Sequence, residues 1–401
     1  MGKLDIIQNG NLASKKPGEK LDKLNENKNG NKIDNNNYFN IVQTRDNHQT
    51  ENQTENDMPK KEEIDGKSTN EIKKVEKCNE DELLLNLKKS KCKFMEHFEI
   101  QELLGKGGES YVFKSNEKRS KKPFALKILL KNKAHDTLNE LKILNKIKNK
   151  NTINYYGAFE VEKGKYDCLI MNCAKFGNLI DFNEKLIRKN YFSESILCFL
   201  SYQILSGLKY LHQCKIFHGD IKPQNILVED TLNVQIIDYS ISIDYSKLKS
   251  KKIQLPTRGT SFYMAPEVIK GDTIDVTDLN KVDLYSFGVI LYYFAFGYYP
   301  FNLTKEDAKQ NDKIYEKITK DLIIENEDNY YSTHFIDFVK KLLDKDINKR
   351  IDINEALNHY WVKGAQILFD EKEKLFNAGT FLSYLITDHI KNFDDYIKKT
   401  N

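Results

Sequence analysis

The amino-acid sequence predicts an α+β fold with two lobes: a small lobe built on an antiparallel sheet with one main helix, and a larger helical lobe. Between Phe94 and Met171, short apolar runs alternate with turn signals, a pattern typical of strands. After Gly177, apolar residues recur at three- and four-residue spacing, a pattern typical of helices. We therefore expect a cleft between the lobes, which is a natural place for a ligand site.

Residues 1–93 form an Asn/Lys-rich extension that we expect to be disordered. Only two aromatic residues, Tyr38 and Phe39, precede Phe94, so this segment holds too little apolar surface to offset the entropy of ordering it. A solvated low-complexity extension is the simpler interpretation, and a docking or localisation arm is the alternative. One short amphipathic helix is expected at 80–89 (EDELLLNLKK), packed on the domain that follows.

Composition excludes several classes of protein. The longest uncharged apolar run, Phe287–Phe301, has 15 residues, whereas a membrane-spanning helix needs about 20. The first residues, MGKLDIIQNG, lack the apolar region of a secretory signal, so none is expected, and Ile6 stands where a myristoylation signal has Ser or Thr. The net charge is only +4 with both signs mixed, so no nucleic-acid partner is expected. Six cysteines without a CxxC pair indicate reduced thiols, hence an intracellular and cytoplasmic protein, although the basic cluster at 118–122 leaves the nucleus open.

The elements of the small lobe follow from these runs. A helix is expected at 137–147 (TLNELKILNKI), directly after three strands and before two more. The predicted strands are FEIQELLG, SYVFKS, PFALKILL, 155–160 and 166–171.

Long helices dominate the rest of the chain. Residues 193–212 have helical apolar spacing, and 282–296 is apolar nearly all round, which predicts a helix buried on every side. The C-terminal extension 363–401 is expected to be helical, including 367–375 and 381–397. We interpret it as packed on the large lobe, with an autoinhibitory or partner-binding segment as the alternative.

Two local patterns indicate a phosphate-binding cleft. Leu104–Val112 reads LGKGGESYV, and its glycines leave backbone that a phosphate can approach closely, although a tight hairpin turn alone also explains them. Ser110 stands where a third glycine is expected. Lys127 lies on the third strand and needs a carboxylate partner, for which Glu140 on the next helix is the candidate.

The decisive pattern begins at Phe217 with FHGDIKPQNIL and continues at Ile236 with IIDYS. Further along the chain come Ala265-Pro266-Glu267, then VDLYSFGV with Asp283 and Gly288, then DKDINKR with Arg350. With these motifs in this order, 98–362 resembles the eukaryotic protein kinase superfamily, of the serine/threonine type. The resemblance implies the bilobal protein kinase fold with ATP in the cleft.

It also implies a reaction: transfer of the ATP γ-phosphate to Ser or Thr hydroxyls of protein substrates, achieved mainly by positioning and charge neutralisation. In that family the position of Asp220 is the catalytic base and that of Lys222 steadies the transferring group. Lys127, held by Glu140, would position the phosphates. Thr260 would hydrogen-bond the Asp220–Lys222 pair.

The resemblance assigns the cofactors as well. Asn225 and Asp238 would supply hard oxygen ligands, which suit Mg²⁺. Around ATP, hydrophobic side chains would form a roof, a floor and a back wall, and the backbone of Asn172 and Ala174 would hydrogen-bond adenine. Cys173 at the rim is interpreted as an inert thiol. The expected nucleotide-binding residues are Leu104, Gly105, Lys106, Gly107, Gly108, Glu109, Ser110, Tyr111, Val112, Ala125, Lys127, Met171, Asn172, Ala174 and Leu227.

Two departures bear on regulation. Gly219 replaces the arginine that usually gathers a phosphate on the activation loop, so we expect activity without a phosphorylated loop. Tyr239-Ser240 replaces the usual Phe-Gly, and Ser240 is expected to cost backbone freedom.

Substrate class and the rival functions follow from the same motifs. Lys222 with Gly259-Thr260 favours a serine/threonine kinase, and Gln224 weakens the case for an arginine-directed one. The main alternative is a pseudokinase, a nucleotide-binding scaffold or allosteric module, which usually lacks at least one of the catalytic residues present here. A kinase-fold enzyme acting on a small molecule is disfavoured by the complete segment up to Glu267.

Overall fold

The computed structural model describes residues 80–89, 92–93, 95–107, 110–130, 134–161, 165–187, 192–304, 306–307, 310–326 and 330–375. The extension before residue 80 and the tail after 375, including the helix expected at 381–397, lie outside the described residues.

A five-stranded antiparallel sheet forms the small lobe. Numbered along the chain with the ranges given below, the strands lie side by side in the order β1-β2-β3-β5-β4. The first three strands form two successive hairpins, and β5 pairs with β3. All five predicted strands are confirmed, and the predicted helix begins three residues earlier than expected. The elements are β1 (Phe98–Lys106), β2 (Ser110–Glu117), β3 (Pro123–Leu130), α2 (Ala134–Lys146), β4 (Tyr155–Val161) and β5 (Tyr166–Asn172), preceded by α1 (Glu80–Lys89).

The two faces of this sheet have different partners. Side chains alternate between faces along a strand, so Leu126 and Ile128 of β3 lie on the outer face. There they join an apolar cluster with Leu83 and Leu87 of α1, both essentially inaccessible to solvent. The predicted helix at 80–89 is thus present and covers the outer face of the sheet. The opposite face carries Lys127 and looks into the cleft.

The large lobe is helical, and its core includes a long helix that is buried nearly all round. This helix, α6 (Leu279–Phe296), is buried along nearly its whole length, as its apolar sequence predicts. The other helices are α3 (Leu179–Phe182), α4 (Glu194–Gln213), α5 (Pro266–Lys270), α7 (Asn311–Ile318), α8 (Thr333–Leu342), α9 (Ile353–Asn358), α10 (Tyr360–Lys363) and α11 (Ala365–Leu375). Short strands complete it: β6 (Ile216–Phe217), β7 (Ile226–Val228), β8 (Val234–Ile236), β9 (Ile243–Asp244), β10 (Lys252–Gln254) and β11 (Thr273–Asp275).

Two contacts fix the far end of the large lobe. The Arg350 guanidinium donates to both carboxylate oxygens of Glu267, at 2.7 and 3.0 Å, and both residues are buried. This bidentate pair ties the end of the activation segment to the helical core. On α11, the Phe369 ring packs against Phe199 of α4 at 4.7 Å between centroids. None of the described helices is long and apolar enough to cross a membrane.

Candidate active site

Lys127 joins three elements in the cleft. It lies on β3, and its ammonium group donates to both oxygens of Glu140 on α2, at 2.6 and 2.9 Å. The same group lies 2.9 Å from Oδ1 of Asp238, which follows β8 in the large lobe. The predicted Lys127–Glu140 pair is therefore formed, and Asp238 adds a link between the lobes.

Charge compensation keeps Lys127 and Asp238 ionised although both are buried. Burial alone lowers the pKa of a lysine, but here the carboxylates of Glu140 and Asp238 outweigh burial and raise the pKa of Lys127. Burial likewise raises the pKa of a carboxyl group, yet the charge and hydrogen bond of Lys127 lower the pKa of Asp238 to about 2. The site therefore presents a protonated lysine and an ionised aspartate at neutral pH.

Asp220 lies at the centre of a hydrogen-bonded loop between β6 and β7. Its Oδ2 accepts from the Lys222 ammonium at 2.5 Å and from the Asn225 amide at 3.1 Å. The Asn225 amide also donates to the main-chain oxygen of Asp220 at 2.8 Å. Buried Asp283 of α6 accepts from the main-chain N–H groups of His218 and Gly219, at 3.1 and 3.0 Å. The core helix thus holds the backbone that presents Asp220.

The other oxygen of Asp220 faces the activation segment. A Cβ atom on Gly259 would lie 2.9 Å from Asp220 Oδ1, so only glycine, with its φ of +106°, leaves that oxygen room here. Next to it, Thr260 is exposed, and within the described part of the chain no hydrogen bond joins it to Asp220 or Lys222. Its expected bond to that pair stays a prediction for another state of the site.

Part of the expected nucleotide pocket lies on the cleft face of the sheet. Directly paired residues of an antiparallel sheet share a face. Val112 pairs with Lys127, and Ala125 pairs with Met171, so all four lie on the cleft side. Leu104 is 49% exposed at the mouth of this face.

The remaining pocket residues divide into three groups. Tyr111 pairs with Ile128 and packs in the outer apolar cluster, so its ring is on the face away from the cleft. Gly108 and Glu109 lie outside the described residues. The last group is half-buried or exposed. It consists of Gly105, Lys106, Gly107 and Ser110 at the glycine-rich turn, Ala174 after β5, and Leu227 on β7.

Asn225 and Asp238 offer oxygen atoms suited to a divalent cation. Both donor contacts of the Asn225 amide nitrogen go to Asp220, which leaves its Oδ1 as a neutral oxygen donor. The backbone just before Asp238 is hydrogen-bonded to Asn225, because the Asn225 main-chain oxygen accepts from Ile237 N–H at 3.0 Å. Carboxylate and amide oxygens are hard ligands of the kind that Mg²⁺ prefers. The residues present therefore fit the expected metal.

The backbone around Asp238 shows where a positive φ is needed in this stretch. The residue with positive φ in this stretch is Asp238, at +66°, and not Ser240. Ser240 therefore does not need the freedom of glycine in this conformation. Tyr239 is fully buried, stacks edge-on against the His218 ring at 5.2 Å and donates its hydroxyl to the Ile236 oxygen at 3.0 Å.

Gly219 has a backbone reason to be glycine. Its φ is +79°, and an added Cβ would lie 2.9 Å from the Phe217 ring. Beside it, between the catalytic loop and the activation segment, lies a small open depression lined by Phe217, Ile241 and Leu255 among others. Gly219 adds no charged side chain to this space.

One polar cluster behind the pocket is not indicated by any pattern in the sequence. The Asn172 amide nitrogen donates to Glu229, and to Gln235 at 2.8 Å, while its oxygen accepts from Asn154 N–H at 3.0 Å. These bonds tie the segment between the lobes to the β7–β8 hairpin. Glu229 and Gln235 lie 57 and 63 residues from Asn172 along the chain, so no local motif predicts the cluster.

The fold and this site agree with what is known of similar proteins. Residues 98–362 match the family described as protein kinase domain, which is more than half of the chain. The chain therefore belongs to the protein kinase family, and the two lobes are the bilobal α+β kinase fold. Calcium-dependent protein kinase 5 of Plasmodium falciparum (isolate 3D7) is 32% identical over 269 residues, which cover 65% of this chain and 44% of that relative. The match thus spans less than half of the relative's length.

Proposed function

We propose that this chain is an active serine/threonine protein kinase that transfers the γ-phosphate of ATP to Ser and Thr hydroxyls of protein substrates. One observation carries the proposal. Asp220 Oδ2 is bound by Lys222 and Asn225, whereas Oδ1 lies beside Gly259 of the activation segment. A carboxylate held in this way can orient an incoming hydroxyl group and accept its proton.

The charges around Asp220 support phosphoryl transfer over simple binding. Lys222 lies 2.5 Å from Asp220 and brings a positive charge to the point where the transferred group would pass. Lys127, fixed by Glu140, brings a second positive charge for the phosphates of the nucleotide. A binding module needs neither the free carboxylate oxygen nor two converging cations.

ATP and Mg²⁺ are the cofactors that the donor set fits best. Asn225 Oδ1 and the Asp238 carboxylate would hold the cation, and bound Mg²⁺ supplies neutralisation of phosphate charge. Because Lys127 lowers the pKa of Asp238, this carboxyl group is already ionised at neutral pH and can bind a cation without first losing a proton. Val112, Ala125 and Met171 would enclose the adenine ring.

The assignment to Ser and Thr rests on Lys222, two residues after Asp220, and on Gly259-Thr260 in the activation segment. Calcium-dependent protein kinase 5, the relative with 32% identity, is named for its dependence on calcium. We do not extend calcium dependence to this chain, because the match spans 44% of that protein.

The test is phosphate transfer from labelled ATP to a peptide library containing Ser, Thr and Tyr, using the full chain with and without Mg²⁺. We expect phosphoserine and phosphothreonine in the products, formed only with the divalent cation. Phosphotyrosine alone would refute the substrate class. No transfer, with ATP still raising the melting temperature, would favour the nucleotide-binding scaffold.

A further inference from the structure

Two side chains on one face of α2 reach the start of the activation segment. The Asn139 amide donates to the main-chain oxygen of Ser242 at 2.8 Å. The Lys146 ammonium lies 3.1 Å from both carboxylate oxygens of Asp244 on β9. Asn139 and Lys146 are seven residues apart, which places them on the same side of an α-helix. Glu140, the partner of Lys127, is the neighbour of Asn139.

The segment that they reach is fixed to the large lobe. Ile243 and Asp244 form β9, which pairs with β6 immediately before the catalytic loop. The Ser242 hydroxyl donates to the His218 oxygen at 2.8 Å, and the Tyr245 hydroxyl donates to the His212 oxygen at 3.0 Å. A helix tied to this segment is therefore tied to the same rigid backbone that carries the catalytic loop.

Hydrogen bonds from Ser246 orient the Asp244 carboxylate for this contact. Its carboxylate accepts from the Ser246 main-chain N–H at 3.1 Å and from the Ser246 hydroxyl, so its orientation is set locally. The Asp244 side chain is 14% exposed and that of Lys146 is 36% exposed. Burial acts to raise the pKa of Asp244, but the hydrogen bonds from Ser246 and Lys146 outweigh it and lower that pKa.

We propose that the Lys146–Asp244 ion pair, supported by the Asn139–Ser242 hydrogen bond, positions α2 so that Glu140 holds Lys127 without any phosphate on the activation segment. Lys146 and Asp244 are positioning residues, since neither reaches the nucleotide cluster. The inference rests on the proposed function and adds to it a means of holding the active arrangement. It also explains how the chain can do without the arginine that Gly219 replaces, since Gly219 offers no charge to bind a phosphate.

The test uses the full chain with Asp244→Asn, Lys146→Met and the double variant. Asn keeps the volume of Asp244 and can still accept from Ser246 N–H, so the turn survives while the charge is lost. As a matched control, Lys345→Met breaks another lysine–aspartate pair between separate elements, to Asp321 at 3.0 Å. The readouts are kcat/KM for ATP and hydrogen–deuterium exchange of 138–146, with exchange of α6 as the internal reference.

We expect each single variant to lower kcat/KM about three- to ten-fold, in line with a partly exposed ion pair. Exchange in 138–146 should rise while exchange in α6 stays the same, and the control should change neither. The double variant should be no worse than the poorer single variant, because the two residues act as a pair.

Two results would overturn the inference: unchanged exchange in 138–146 in both single variants, or losses that multiply in the double variant. The exchange readout does not require phosphate transfer. A wild-type chain that transfers nothing would therefore refute the proposed function, while the exchange data would still decide whether Lys146 and Asp244 position α2.

Discussion

The Lys127 ammonium group donates to both carboxylate oxygens of Glu140, at 2.6 and 2.9 Å, and neither side chain is more than 7% exposed. Glu140 comes from α2 and Lys127 from β3, so the position of one helix decides whether the lysine can face a nucleotide. The third group in contact, Asp238, extends this dependence to the large lobe. The proposed catalytic arrangement thus depends on how α2 is placed relative to β3 and to the large lobe.

Replacing Glu140 by Gln should cost most of the activity. Without the Glu140 charge, Lys127 keeps its contact with Asp238 but loses the ion pair that holds it to α2, so we expect kcat/KM for ATP to fall by about 100-fold or more. The matched control is Glu102→Gln, which removes the exposed carboxylate that pairs with Lys114 at 2.9 Å. Steady-state kinetics within about three-fold of wild type for Glu140→Gln would show that the pair is not needed.

Phosphatase treatment should leave the activity in place. Gly219 offers no positive charge beside the activation segment, so a phosphate on that segment lacks the partner that an arginine at this position would supply, although Arg258 of the segment itself lines the same space. We expect initial rates before and after treatment to agree within about two-fold, with loss of phosphate confirmed by mass spectrometry. An enzyme that becomes silent, and recovers when the segment is phosphorylated again, would contradict this.

Leu83 should be worth far more to stability than Leu85, although both lie on α1. Leu83 is fully buried against the sheet, whereas Leu85 is 49% exposed. Leu83→Ala should therefore lower the free energy of unfolding by about 2–5 kcal/mol, and Leu85→Ala by less than about 0.5 kcal/mol. Urea denaturation of the full chain measures both, and equal effects would mean that α1 does not pack on the small lobe.

Cys173 should react slowly with iodoacetamide at neutral pH. It is half-buried at the rim of the cleft, and burial, helped by Glu229, raises the pKa of its thiol despite the opposing charge of Lys114. Only the thiolate is nucleophilic, so the rate should increase as the pH rises above 9.0, the ordinary value. ATP should slow it further. Peptide mapping separates Cys173 from the other thiols, and rapid labelling at pH 7 would contradict the interpretation.

Much of this arrangement could be predicted from the sequence because it depends on short-range patterns. Alternating runs predicted the five strands, an all-apolar run predicted buried α6, and the amphipathic run EDELLLNLKK predicted α1. The Lys127–Glu140 pair was predicted because a lysine facing inward from a strand needs a carboxylate partner, and Glu140 lies on the next helix.

The rest depends on relationships that the sequence does not contain. The Asn172 cluster requires a particular alignment of the β7–β8 hairpin with the end of β5. The positive φ falls on Asp238 and not on Ser240, because the chain must turn the carboxylate back towards Lys127. The Lys146–Asp244 pair joins residues 98 apart, which only the packed lobes bring together.

The most direct test of the account is the rate of phosphate transfer by Asp220→Asn compared with wild type. Asn keeps the shape of Asp220 and its bond to Lys222 but cannot accept a proton from the substrate hydroxyl. We expect phosphorylation of Ser and Thr peptides by the wild type, and a fall of about 100-fold or more in kcat for the variant, with ATP binding retained. Equal transfer by both proteins would contradict the role of Asp220. No transfer by the wild type would contradict the proposed kinase activity of this chain.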